Sequence, residues 1–302
     1  MDRLAFRRLR PAEARSPQRP AGASLAQRGN SGKGQRGRDC RHFLLSAGKS
    51  SKRVADIAPA RLAELNAGGV EAATLTECLA VDFAALMRAA LPDIGSDAIT
   101  AMQHAAGEGI SRRMALAARL IHARHGLAAV EKLGAHVSDT IRGWACFIIG
   151  AAEGMTLTDR LAAIQPFADD HHFGVREWSW MAVRPHIAAD LDSAITLLAD
   201  WTAHPSERVR RFASEATRPR GVWCAHLGAL RQSPEQALPI LEPLRADPAA
   251  YVQDSVGNWL NDAGKDRPDW VRSLCARWTA ESVAPTTARI SKRALRSINA
   301  RG

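Results

Sequence analysis

The sequence predicts an all-α fold of stacked, antiparallel helix pairs, and three observations carry that reading. Strand signals are weak, because the 302 residues include one Tyr, few β-branched runs and abundant Ala. A helical motif then recurs. It opens as Ile141-Arg142-Gly143-Trp144-Ala145, again as Val175-Arg176-Glu177-Trp178-Ser179, and again as Val209-Arg210-Arg211-Phe212-Ala213, 34 residues apart each time. A fourth copy opens at Val252, 43 residues further on, so a longer connection precedes it. Finally, a partner helix pattern lies between copies, over 191–202 before the third and 236–245 before the fourth, with His204-Pro205 or Asp247-Pro248 at the turn. Two helices per unit at a period of about 33 to 47 residues is the signature of a HEAT-like α-solenoid. Each unit of such an array buries its apolar stripe against its neighbours, and none folds alone.

In chain order, residues 1–53 come first and have little to bury. They hold 14 Lys/Arg against three acids and are rich in Gly, Ser, Gln and Pro, which predicts a disordered basic tail. Such a leader reads as an organelle transit peptide, a non-specific nucleic-acid arm, a plain linker, or residues ahead of the true translation start. The helical-repeat domain is expected over 54–302. Val54 to Asn66 predicts a short helix ended by Gly68-Gly69. Thr74 to Leu91 predicts an amphipathic helix with Leu75, Leu79, Phe83, Leu86 and Met87 on one face, stopped by Pro92. Ser96 is suited to cap a helix reaching His104, and Ile110 to His125 forms the next, ended by Gly126. These helices are expected to cap the array, and Val130 to Ile149 to enter the repeats. In the third copy Val209, Phe212, Ala213 and Ala216 form the buried stripe. Trp144, Trp178 and Trp259 fall on equivalent stripes and read as core. Pro219 is expected to end the third helix near Arg218, leaving Trp223 just past the break, facing a groove.

Off the stripe, Arg211, Glu215 and Arg218 recur at i, i+4, i+7, and Asn258, Asp262 and Lys265 do the same in the fourth copy. Aligning the copies places Asp262 one turn past Glu215, so the two acids are expected to converge across adjacent units. An acid flanked by two guanidinium groups is either a reaction site or an ion-paired, solvated face. Residues 54–302 hold 27 bases and 28 acids, so any nucleic-acid face there comes from sorted charge rather than surplus. His171 and His172 follow Asp169-Asp170 and read as a polar turn, since no second half of a metal site appears elsewhere. The five cysteines (40, 78, 146, 224 and 275) show no CxxC spacing and fit free thiols in a reducing cytoplasm. There is no phosphate-cradling Gly-rich loop, no GxSxG, no secretory signal and no apolar run long enough to span a membrane. No metal or cofactor is expected.

The stretches VREWSWMAVRP, HPSERVRRFASEATRPRGVW, YVQDSVGNWLNDAGKDRPDWV and KRALRSI resemble the HEAT-like-repeat DNA alkylation repair glycosylases, the AlkC and AlkD superfamily, on its AlkC side. The resemblance covers residues 137–298 well and 54–136 loosely. It implies a monomeric protein that wraps alkylated double-stranded DNA in its concave face. It implies excision of cationic alkylpurines such as 3-methyladenine without flipping the base into a pocket. Carried over by motif, the catalytic acids are Glu177, Glu215 and Asp262, the aromatic wall is Trp223, and the DNA-backbone arginines are Arg211 and Arg218. The chemistry suits those residue types, because a cationic base leaves without protonation and carboxylates stabilise the developing sugar cation. The alternative is a non-catalytic HEAT-like scaffold binding DNA or protein, since solenoids commonly serve as binding surfaces. The acids decide between the two.

Overall fold

The computed structural model describes residues 53–221 and 224–300, and its regular elements are sixteen α-helices and two 3-10 turns, with no strand among the described residues. The expected tail therefore lies almost wholly outside the described residues, as does Trp223. Helices α1 (Pro59–Ala67), α2 (Leu75–Ala80), α3 (Phe83–Ala90), α4 (Ser96–His104) and α5 (Ile110–His125) precede the repeats. The pairs follow: α6 (Ala129–Gly134) with α7 (Asp139–Ala151), α8 (Leu157–Ala168) with α9 (Phe173–Ala189), and α10 (Leu191–Trp201) with α11 (Glu207–Ala216). After the short α12 (Gly228–Gln232) come α13 (Leu238–Leu244) with α14 (Ala250–Ala263), and α15 (Pro268–Glu281) with α16 (Pro285–Asn299).

The second helices stack in one row, α5 on α7, α7 on α9, α9 on α11, α11 on α14 and α14 on α16, while each partner packs behind its own second helix. The stripe explains the row. Ile141, Val175, Val209 and Val252 open the four copies and are all fully buried, as are Trp144 and Trp259, with Trp178 nearly so. Two close approaches need glycine. A Cβ on Gly150 of α7 would lie 2.5 Å from the Ala182 carbonyl oxygen of α9, and one on Gly257 of α14 would lie 2.9 Å from the Arg293 stem of α16.

A side-chain device repeats with the motif. Arg142 donates to the carbonyls of His136 and Val137, Arg176 to those of Asp170 and His171, and Arg210 to those of His204 and Pro205, all at 2.7 to 2.9 Å. Gln253 does the same to Asp247 and Pro248. In each copy the second motif residue thus reaches back six and five residues and ties down the turn that enters the helix. Helix C-termini are satisfied by buried guanidinium groups. Arg160 bonds the Ile149, Gly150 and Ala152 carbonyls behind α7, and Arg184 bonds those of Ala216, Arg218 and Ala225 behind α11.

Several boundaries differ from the sequence expectation. Residues 74–91 form two helices, because the Asp82 carboxylate accepts from the Ala84 and Ala85 amides and starts α3 afresh. Phe83, Leu86 and Met87 are buried as expected, whereas Leu75 and Leu79 are exposed and α2 buries Glu77 and Cys78 instead. The first helix begins at Pro59 after a 3-10 turn, and Gly68, at φ 75°, ends it. Gly95 rather than Ser96 occupies the cap of α4, and 130–149 is split between α6 and α7. Helix α11 stops at Ala216, before Pro219, yet α9 runs through Pro185 to Ala189. No helix among the described residues is long and apolar enough to cross a membrane.

Candidate functional site

In the second and third copies the residue one past the turn clamp carries charge, and the 34-residue repeat sets Glu177 of α9 beside Arg211 of α11. Their Oε1 and Nη2 atoms are 2.7 Å apart. One helical turn on, Arg211 Nη2 lies 3.5 Å from Glu215 Oε2, and Arg218 Nη1 lies 2.8 Å from Glu215 Oε1. Arg218 also donates from Nε and Nη2 to Asp262 Oδ2 of α14, at 2.9 and 2.6 Å. Lys265 Nζ, 3.0 Å from Asp262 Oδ1, closes the series. Six charges therefore alternate in sign across three neighbouring helices. Glu215 and Asp262 do converge, as the repeat alignment predicts, and Arg218 bridges them. The two arginines read as phosphate contacts are each paired here with two carboxylates.

The three acids are not equally accessible. The Glu177 side chain keeps 30% of its surface, against 5% for Glu215 and 6% for Asp262. Burial pushes the Glu215 carboxyl up, but the Arg211 and Arg218 charges and the Ser255 hydroxyl outweigh it and hold the group below its ordinary range. Ser255 Oγ donates to Glu215 Oε2 at 2.7 Å and lies 2.8 Å from Ser214 Oγ. Burial works against the charge on Arg211 and Arg218 too, and their carboxylate partners reverse it, so both guanidinium groups are held above the ordinary value.

Two aromatic residues that the sequence reading passed over border the open end. Trp180 Nε1 donates to Glu177 Oε2 at 2.9 Å. Its signal was the i, i+3 offset from Glu177, masked by the neighbouring core Trp178. Tyr251 lies between two guanidinium groups, 5.2 Å from Arg176 and 4.5 Å from Arg211, and its hydroxyl accepts from Arg176 Nε at 3.0 Å. Nothing in the repeat pattern marks it, since Gly174 and Arg208 hold the equivalent positions. Trp223 lies outside the described residues. The connection that carries it is anchored on both sides, because Arg220 and Arg231 both pair with Asp266, whose carboxyl they hold at about 2.

His171 and His172 form a polar turn. His172 caps α9 through the Gly174 amide and sits 2.6 Å from the Ala72 carbonyl, while His171 lies 2.7 Å from Glu71. No metal-binding group of three His, Cys, Asp or Glu side chains occurs among the described residues. A polar cleft of about 690 Å³ between Arg61, Glu71, Arg142 and His171 includes none of the three acids.

Comparison with known proteins agrees with this architecture. The AlkC alkylpurine DNA glycosylase of Pseudomonas fluorescens, solved bound to DNA containing an abasic site analogue, superposes with a TM-score of 0.61 at 25% identity, over 83% of this chain and 66% of that one. The fold also matches AlkD2 of Streptococcus mutans, with a TM-score of 0.51 at 20% identity over 62% of this chain and 90% of that one. The YhaZ protein of Bacillus subtilis is 40% identical over 124 residues, which are 41% of this chain and 34% of YhaZ. The chain thus spans about a third of YhaZ and 66% of AlkC. Residues 161–295, which carry every acid of the strip, match the profile of the DNA alkylation repair enzyme family. Over that region the chain is similar to the DNA alkylation repair enzyme family, and the helical array that holds it has the fold of AlkC.

Proposed function

We propose that the chain is a DNA glycosylase that excises cationic alkylated purines, of which 3-methyladenine is the simplest, from double-stranded DNA. The observation that carries this is the strip itself, three carboxylates on consecutive helices of the family-matched segment with Glu177 open to solvent. Its relative AlkC is named for alkylpurine DNA glycosylase activity, which supports the reading. In this mechanism the substrate base already bears positive charge. The C1′–N bond breaks with its electron pair passing to the base, which leaves neutral and needs no proton. Positive charge moves to the sugar, where Glu177 opposes it directly and Glu215 and Asp262 add to the negative field. Water adds to C1′ and passes its proton to a carboxylate or to solvent. Arg218 holds the two inner acids in place by pairing with both, while Arg211 orients Glu177. Trp223, the aromatic wall of the family resemblance, is assigned the face for a cationic base. We further propose that the protein acts as a cytoplasmic monomer and that residues 54–302 form the working domain.

The second reading, a scaffold without catalysis, is favoured by one observation: Glu215 and Asp262 are fully engaged with arginines, as purely structural acids would be. Release of free base from methylated duplex DNA by the purified protein separates the two. Release that exceeds spontaneous depurination and falls in Glu177→Gln supports the glycosylase. Duplex binding without release leaves the scaffold.

A further inference from the structure

The strip is flanked on its C-terminal side by α16, whose four charged side chains, Arg289, Lys292, Arg293 and Arg296, are all cationic. They run at i, i+3, i+4 and i+7 along one face of the helix, in a domain whose bases and acids nearly balance only when these four are counted. Their partners on α14 are mostly neutral, and Arg289 donates to the Gln253 side-chain oxygen and the Ala250 carbonyl. Arg289 and Arg293 share the Asp254 carboxylate, at 2.6 and 3.2 Å. Arg293 and Arg296 share the neutral Asn258 carbonyl oxygen, at 3.0 and 3.1 Å. Burial and the adjacent Arg293 charge hold Arg296 below its ordinary value, and Asp262 and Arg218 lie close enough to act on it. The cationic row is therefore continuous with the carboxylate strip. Helix α5 also carries four arginines and no acid, but there Arg113 and Arg124 donate to the Leu79, Val81 and Asp93 carbonyls, and α7 separates it from the strip.

We infer that α16 is a phosphate rail, on which Arg289, Arg293 and Arg296 hold the DNA strand that passes beside the strip. The inference rests on the glycosylase reading for its partner. Two guanidinium groups share one carboxylate with two more cations on the same helix, and an arriving polyanion relieves the repulsion among them. The spacing fits as well. Seven residues of helix advance about 10.5 Å, which is about three axial phosphate steps of one strand. It also answers a need, because Arg218 donates all its nitrogens to carboxylates and is poorly placed to serve the backbone.

The test measures how affinity for an unmodified duplex oligonucleotide depends on salt, with the full chain. Each lost phosphate contact should flatten the log–log slope by about 0.9. Arg289→Gln, Arg293→Gln and Arg296→Gln together should therefore flatten it by about 2 to 3 and weaken binding at least tenfold, with the melting temperature reporting on folding. Asp254→Asn acts in the opposite direction. It removes the rail's one carboxylate, so binding should tighten several-fold and the slope steepen. An unchanged slope in both variants, with wild-type binding intact, overturns the rail and makes α16 a solvated end of the array, while the glycosylase reading survives. A wild-type chain that binds no duplex overturns both. Should the triple variant not fold, Asp254→Asn alone decides.

Discussion

Within the strip, the three acids carry different roles, and substitution separates them. Glu177 is the open carboxylate, so Glu177→Gln is expected to slow single-turnover base release by about 10² with little change in melting temperature. Glu215 and Asp262 are buried between cations, so their amide variants should lose activity and stability together. Removing one partner of a buried pair costs up to about 3–5 kcal/mol. Wild-type melting with normal base release in all three variants would exclude the mechanism proposed here. The pH dependence follows from the same burial. The folded-state value of Glu215 is held below its ordinary 4.5, so its stabilising contribution is complete above that value and is lost as pH falls through the lower folded one. The melting-temperature gap between wild type and Glu215→Gln should be flat above about pH 5 and shrink below 4.5; a gap that grows on acidification would reverse the assigned sign. Much of this site was legible in the sequence, because the 34-residue repeat turns equal spacing into adjacency, and Glu177–Arg211 is that rule at work. Arg218 as the bridge was not, since a helix pattern does not say which of two acids a guanidinium will choose. Tyr251 was not, because it interrupts the repeat instead of following it.

At the scale of elements, periodicity located the starts of the four repeated helices α7, α9, α11 and α14 and erred where local hydrogen bonding competes with it. The apolar positions over 74–91 are compatible with one helix, yet the Asp82 side chain captures two amides and divides it. Proline proved a conditional stop. α11 ends just short of Pro219, but α9 accommodates Pro185. The turn-clamping Arg142, Arg176, Arg210 and Gln253 explain why the motif's second position keeps a long hydrogen-bond donor: each ties down the turn that enters its helix. Packing between rows gives a prediction. Ala at Gly150 would put a methyl group 2.5 Å from a backbone oxygen of α9, which no side-chain rotation relieves. Gly150→Ala should cost about 1–3 kcal/mol by overpacking, although Ala is the better helix former by about 1 kcal/mol. A raised melting temperature would show that α7 and α9 are less closely packed than described. Tyr251→Leu tests the second packing contact, the guanidinium stack. It should lower base release several-fold through Arg211 and Glu177 with duplex affinity preserved, whereas a loss confined to affinity would assign Tyr251 to DNA binding instead.

For the whole molecule, the dominant fact is where charge resides. Residues 1–53 hold a net +11, while 54–302 hold 27 bases against 28 acids. On the glycosylase reading, the helical domain meets DNA through sorted charge, with cations gathered on α16 and acids on the strip. The basic segment, by contrast, offers cations without geometry. Deleting it is therefore expected to have separable consequences. Among the described residues the buried core begins at Ile57, and the composition of the segment offers little to bury, so the melting temperature should hold to within about 0.5 kcal/mol of equivalent stability. Single-turnover base release with enzyme saturating at low salt should also hold, since every acid of the strip remains. Duplex affinity at moderate salt should fall and its salt dependence flatten, because counterion release counts each cation near a phosphate whatever its fold. An unchanged slope would remove the nucleic-acid-arm reading and leave a transit segment, a linker or residues ahead of the true start. A large fall in melting temperature would instead mean that these residues pack on the array, against the expectation from their composition.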